Sequence, residues 1–338
     1  MNSRVTIADI AKELGISPST VSRALRDNPA ISKSRRIEVR AAAETLGFDL
    51  PAGAPAQKAQ REWLIGCVVP SISHPFFADI IERLESLCAR NGCDLLLHNS
   101  GGSPAMESAI VQRLGERDVD GVVFIPCSLD MEPLKECIHY HKTVVVTQQT
   151  ALCPSIGIDH EEGGRQVAEH FKELGRHSCL LVGPPGDSKF SGFRSYIESQ
   201  CLTNFKIDDI DVDGWDAGFV LDAHKAIVDR FDSESIKQFD CVFAKTDLAA
   251  VGTIHALNEL GRSVPGDIAV CGFDDTPLAR EVRPGLSSVA QPVGQIVNFG
   301  FTLLQKMVNG KEIPQGQQSY SLRPHLVVRG STFPGASG

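Results

Sequence analysis

Apolar positions change their spacing near residue 60. Before that point three short stretches, roughly 6–13, 17–25 and 32–46, place apolar side chains at intervals of three and four, the helical period. After it, short β-rich runs alternate with helix-period stretches: LIGCVV (64–69), DLLLH (94–98), GVVFI (121–125), TVVVT (143–147), CLLV (179–182), CVFA (241–244) and IAVCGF (268–273). This alternation predicts an α/β protein whose parallel sheets are covered by helices. Between the first two runs, Phe76, Phe77, Ile80, Ile81, Leu84, Leu87 and Cys88 fall on one helical face that should pack on the sheet. Residues 293–310 read as a late amphipathic helix and HLVVR (325–329) as a last strand. Four β runs precede Asp159 and at least three follow it, which predicts two doubly wound subdomains with a crevice between them. Ligands in such sheets bind at the carboxyl ends of the strands.

The change of spacing coincides with PAGAPAQKAQ (51–60), which has no large apolar side chain and reads as a linker. Charge changes sign there too. The 338-residue chain carries a formal −9, but residues 1–62 are +3 and the remainder −12, so a small basic module precedes a large acidic body. With 42% apolar and 22% charged residues and no run of eighteen apolar positions, no membrane span is expected. The start, MNSRVTIADI, lacks the apolar stretch of a secretory signal, so the cytoplasm is the expected compartment. Ten cysteines stand singly with no C-x-x-C pair, leaving zinc ribbons and dithiol redox chemistry unsupported and buried thiols expected.

In the basic module, Thr6 with Asp9 three residues on resembles a capping box, opening a helix with Ile7, Ile10, Ala11 and Leu14 on its apolar face. Gly15 breaks that helix. Ser17 can cap a second one, whose first position suits Pro18, and Val21, Ala24 and Leu25 should turn inward. Pro18, Ser19, Ser22 and Arg23 then face outward, the arrangement of a DNA-binding helix-turn-helix. On pattern alone an ordinary helical hairpin stays open.

The string VTIADIAKELGISPSTVSRALRDNPAISKSRRIEVRAAAETLGF resembles the DNA-binding headpiece of the lactose/galactose repressor (LacI/GalR) family, and the likeness continues through VVPSISHPFFADI, DGVVFIP, GIDHEEGG, VPGDIAVCGFDD and HLVVRGST. The resemblance covers nearly the whole chain. It implies a headpiece (1–48), a hinge (49–62) and an effector-binding, dimerising core (63–338) like periplasmic sugar-binding proteins. Within that core the N-subdomain is expected at about 63–160 plus 290–318, and the C-subdomain at about 161–289 plus 319–332.

Carried over residue by residue, Pro18, Ser19 and Arg23 fall where the family reads base edges, and arginine matches guanine O6 and N7. Ser22 shares their face. Thr6, Ser17, Thr20, Ser32, Arg35 and Arg36 match phosphate-positioning sites, although Ser17 and Ser32 equally suit helix capping. In the family the hinge forms a short helix on DNA and wedges a leucine into the minor groove. No leucine lies between Pro51 and Trp63, and Pro51, Gly53 and Pro55 weaken a helix, so a smaller operator bend is expected.

For the crevice the resemblance implies contacts from Phe76, Phe77, Ser128, Gln148, Asp159, Lys189, Trp215, Thr246 and Asp274. Phe76 suits the core equally well and Asp159 a helix cap, whereas Asp274 is the strongest candidate, because a carboxylate at a strand's carboxyl end can accept two hydroxyl hydrogen bonds from a sugar, with a helix cap as its alternative reading. Trp215 is one residue off the family's stacking aromatic. Lys189 stands for a usual arginine, Gln148 for an aspartate and Thr246 for an asparagine, which weakly favours a phosphorylated or acidic sugar over a neutral one.

Other motifs fail. Asp209, Asp211, Asp213 and Gly214 imitate the start of a calcium loop, but its twelfth position is Val220, and Ile207, Ile210 and Val212 suggest an ordinary β run. His139 and His141, like His160 with Glu161 and Glu162, match no metal-ligand spacing, and there is no P-loop, G-x-G-x-x-G or G-x-S-x-G. No cofactor, metal or catalytic residue is expected. The reading is a homodimeric regulator, more specifically a repressor, that binds a pseudo-palindromic operator and answers to a sugar-like effector. After Arg329 only GSTFPGASG remains, too short for the heptad helix of tetrameric members. A nucleotide-dependent α/β enzyme and a sugar-binding transport protein are the alternatives.

Overall fold

The computed structural model describes residues 5–25, 28, 31, 33–46, 48, 63–128, 132–216, 218–314, 316 and 318–333. The expected hinge, 49–62, and Ser32 lie outside the described residues. The chain divides into two units, 1–60 and 61–338.

The first unit holds α1 (Ile7–Glu13), α2 (Pro18–Leu25) and α3 (Lys33–Leu46). The Thr6 backbone N–H and hydroxyl both donate to Asp9 Oδ2, at 2.8 and 2.7 Å, satisfying the start of α1. Gly15 makes the turn at φ +62°, and Ser17 Oγ accepts from the Thr20 amide at 3.1 Å to open α2. Ile10, Ala11, Val21, Ala24, Leu25, Val39 and Ala43 close a small core. The apolar spacing of each helix sets which face it buries.

The second unit runs β1 (Trp63–Val69), α4 (Pro75–Arg90), β2 (Cys93–Asn99), α5 (Pro104–Glu116), β3 (Gly121–Phe124), α6 (Glu132–Tyr140), β4 (Thr143–Thr147), β5 (Ser155–Ile158), α7 (His160–Glu173), β6 (Ser178–Val182), α8 (Ser188–Ser199), β7 (Lys206–Ile210) and α9 (Phe219–Arg230). It continues through β8 (Cys241–Ala244), α10 (Asp247–Glu259), β9 (Ala269–Asp274), α11 (Pro277–Glu281), β10 (Ser287–Ala290), α12 (Val293–Val308), β11 (Ser319–Leu322) and β12 (His325–Val327). Two six-stranded sheets result, ordered β11-β5-β4-β3-β1-β2 and β12-β10-β9-β8-β6-β7. Every pairing is parallel except β10 with β12.

Each sheet is apolar on both faces, as a helix-covered parallel sheet must be. In the first, Ile80, Leu84, Phe301 and Leu304 from α4 and α12 cover one face, and Ile110, Leu114 and Leu134 from α5 and α6 the other. In the second, α9 and α10 supply Phe219, Ile227 and Leu257 to one layer, while α7 and α8 supply Phe171, Phe190 and Phe193 to the other. Eight of the ten cysteines are buried, Cys153 is half-buried and Cys201 exposed.

The chain passes between the sheets after β5, β10 and β11. The last passage corrects the expectation that 319–332 belongs wholly to the second subdomain. Tyr320 pairs with Ile156, and the Leu322 carbonyl accepts the Asp159 amide at 2.9 Å, so β11 completes the first sheet and the chain crosses only at 323–324. Leu322 is the only buried side chain of SYSL and enters the first core, with Tyr320 half-buried against it, too weak a pattern to place the strand from sequence. Among the described residues no helix is long and apolar enough to cross a membrane.

Candidate functional site

On the headpiece, Pro18, Ser19 and Arg23 are exposed and Ser22 is half-buried, while Val21, Ala24 and Leu25 turn inward. The Arg23 Nε–H donates to the Ser19 carbonyl at 3.2 Å, which lays its guanidinium along the outer face of α2. Ser17 Oγ lies 2.9 Å from Ser19 Oγ and 2.8 Å from Thr20 Oγ1, so three hydroxyls crowd the positively polarised start of that helix. Arg35 pairs with Glu38 at 2.7 Å, both about half exposed, and Arg36 is half-buried.

Between the subdomains of the second unit lies a crevice of about 430 Å³, within the ~300–1,000 Å³ usual for ligand pockets. Its polar groups sit at or just beyond the carboxyl ends of parallel strands: His74 after β1, Gln148 after β4, Asp187 after β6, Lys245 and Thr246 after β8, Asp274 ending β9, and Gln291 after β10. Parallel strands aim their carboxyl ends at one edge, and the helices that follow begin there.

Seven of the nine expected contacts line this crevice: Phe76, Phe77, Gln148, Lys189, Trp215, Thr246 and Asp274. Ser128 and Asp159 do not. Asp159 Oδ1 accepts the Glu162 amide at 2.9 Å and caps α7, leaving the wall to His160 beside it. Ser128 follows β3 half-buried, outside the lining. Thr246 both lines the crevice and caps α10 through the Ala249 amide, at 3.2 Å. Among the lining residues that the sequence did not point to are His74, His160, Asp187, Lys245 and Gln291. Each follows a strand end closely, so their distance from the β runs was the available signal.

Lys189 is placed by a close helix pair. A Cβ on Gly164 of α7 would stand 1.8 Å from the Lys189 carbonyl oxygen, and one on Gly192 of α8 1.9 Å from the Glu161 carbonyl oxygen. Only glycines allow that approach. The Lys189 ammonium donates to the Lys245 carbonyl at 2.8 Å and lies 4.3 Å from the Phe273 ring centroid. Lys245 Nζ in turn pairs with Asp213 at 2.5 Å.

Asp274 accepts from Gln291 Nε2 at 2.6 Å; burial pushes its acid up to about 6, against the pull of Lys189. Beneath it Asp247 is held by Ser288 Oγ, the Thr276 amide and the Thr276 hydroxyl, and burial with the Asp274 charge raises it to about 8. For Asp187 burial pulls upward, but Lys189, its amide and Lys245 outweigh it and keep the carboxyl below its usual range. Burial first, then Lys189, pushes His74 and His160 down to about 4, so both are neutral near pH 7. The lining thus carries two lysines and two aspartates. With Asp159 outside the lining the formal charges cancel, and the balance favours neither an acidic nor a neutral effector.

Backbone strain marks both walls. Asp274 sits at φ +105° and Thr147, a β-branched residue ending β4, at φ +76°. L residues pay for such conformations, and they persist where surrounding structure overdetermines them, commonly at binding sites.

Comparisons with known proteins agree with this geometry. Residues 6–49 match the family model for bacterial regulatory proteins of the lacI family, and residues 168–332 the model for a periplasmic binding protein-like domain. Catabolite control protein A of Staphylococcus xylosus is 28% identical, over 97% of this chain and 99% of its own length. The ribose operon repressor of Halalkalibacterium halodurans is also 28% identical, over 97% of each chain. Among solved structures, the transcriptional regulator CelR in complex with cellobiose shares the fold at TM-score 0.67 and 23% identity, covering 97% of this chain and 100% of its own.

Proposed function

The chain belongs to the LacI family of bacterial regulators, and on that premise we propose that it is a homodimeric, operator-binding repressor switched by a sugar-class effector in the crevice. The single observation that carries the reading is the outer face of α2, where Pro18, Ser19 and Arg23 are presented to solvent by a fully apolar inner face. Helix-turn-helix proteins lay that helix in the major groove, and two-fold symmetry then sets the half-site spacing.

In the crevice, Trp215 and Phe77 offer an apolar wall and Asp274, Gln291 and Gln148 offer hydroxyl partners, the division of labour a pyranose ring requires. The sugar named in the CelR complex and the ribose operon of the second relative agree with that chemistry. An effector regulates by binding one arrangement of the subdomains better than another, by relief or by corepression.

The test is operator selection from a random duplex pool with the full-length protein, followed by fluorescence anisotropy. Arg23→Ala should lose about 1–3 kcal/mol of discrimination at one base position while keeping non-specific affinity. Equal affinity and unaltered sequence preference would remove Arg23 from base readout.

A further inference from the structure

Trp215 belongs to one subdomain by chain connectivity and to the other by packing. It follows β7 of the second sheet, yet its indole packs against the apolar cluster of the first. It stacks on Phe77 with ring centroids 6.1 Å apart and planes 28° from parallel. Its flank lies over Gly102, in the turn after β2, where an added Cβ would stand 2.4 Å from Trp215 Cδ1. The stiff indole cannot yield as a flexible chain end would, so the seat requires a residue without a side chain.

Behind the indole stands Lys245, 8% exposed. Its ammonium is 2.5 Å from Asp213 Oδ1, 5.4 Å from the Trp215 ring centroid and 5.6 Å from that of Phe219. Both ring distances are within reach of a cation–π attraction. Its backbone is held as well, since its carbonyl accepts the Lys189 ammonium. A nearly dry ammonium must be paired to be tolerated, and here the partner is on the loop that carries Trp215.

We propose that Lys245 is the positioning residue of the crevice, holding Trp215 where its indole joins the two subdomains across Phe77 and Gly102. The regulatory meaning rests on the crevice being the effector site; the contact itself does not. Opening the crevice requires Trp215 to leave its seat, and a ligand with an apolar face meets an indole already in place. Such preorganisation spares the ordering cost of binding.

The experiment uses the full chain with Trp63→Phe, which leaves Trp215 the sole tryptophan. Its emission and acrylamide quenching are recorded without ligand or DNA. Lys245→Met keeps the stem and removes the charge; a red shift and a several-fold larger quenching constant are expected. Lys245→Arg should restore the parent signal, because a guanidinium pairs with carboxylates and stacks on indoles. Asp213→Asn, on the exposed loop, should shift emission and quenching in the same direction, and it keeps the test open if Lys245→Met does not fold. Gly102→Ala should unseat the ring from the opposite side. Unchanged emission and quenching in Lys245→Met and Asp213→Asn would overturn the proposal. So would a Lys245→Met protein that melts earlier with its Trp215 quenching unaltered, the mark of a merely structural lysine. Operator binding is measured separately, so failure of the regulator reading would leave this result intact and the reverse also holds.

Discussion

Asp247 and Asp274 show how a buried acid can be held in two ways at once. Asp247 has every near partner donating to it, yet burial and the neighbouring Asp274 still raise it to about 8. An acid whose folded pKa exceeds its unfolded one keeps its proton better when folded. Stability from Asp247 is therefore full below about pH 4 and declines as pH rises towards 8. Asp247→Asn should flatten that decline, by up to about 1.4 kcal/mol per pH unit, in urea unfolding between pH 5 and 8. Parallel profiles for the two proteins would mean that Asp247 titrates normally. Asp274 was legible as a carboxylate at a strand's carboxyl end, whereas Lys189, inside α8, was placed only by the family resemblance. Asp159 misled because an aspartate between strand and helix either caps or binds, and the choice depends on its direction in space.

Helix α8 reaches the crevice because α7 lets it approach. Gly164 and Gly192 are ordinary helix-weakening residues in sequence, and nothing in the apolar period marks them as a contact. In the fold each lies under a backbone carbonyl of the other helix. Gly164→Ala should therefore cost about 1–3 kcal/mol, as overpacking does, despite alanine's better helix propensity. A thermal melt that rises would show that the two helices separate at no cost. The strands with continuous apolar runs were legible to within a residue or two, because a strand buried on both faces admits few polar side chains. Strand β11 was not, since SYSL offers a single buried anchor at the sheet edge.

The division of charge has its consequence for the chain as a whole. A +3 module joined to a −12 body should bind DNA through the module alone, with the body disfavouring non-specific wrapping. Operator affinity should then fall linearly in a log–log plot against salt. Arg35→Ala and Arg36→Ala should each reduce that slope by about 0.9, as loss of one phosphate contact does. A slope unchanged by either substitution would mean that its guanidinium meets no phosphate. From the order of residues came the two-part organisation, the inward and outward faces of α2 and the doubly wound sheets, because periodicity is a local property, whereas the seven crevice residues that line the wall came from the family resemblance. Folding alone settled that Lys245 and Asp187 balance the crevice charge, that Trp215 packs in the opposite subdomain, and that β11 joins the first sheet. Those outcomes depend on contacts between residues far apart in the chain, such as Tyr320 with Ile156 and Trp215 with Gly102, and no local pattern encodes such distances.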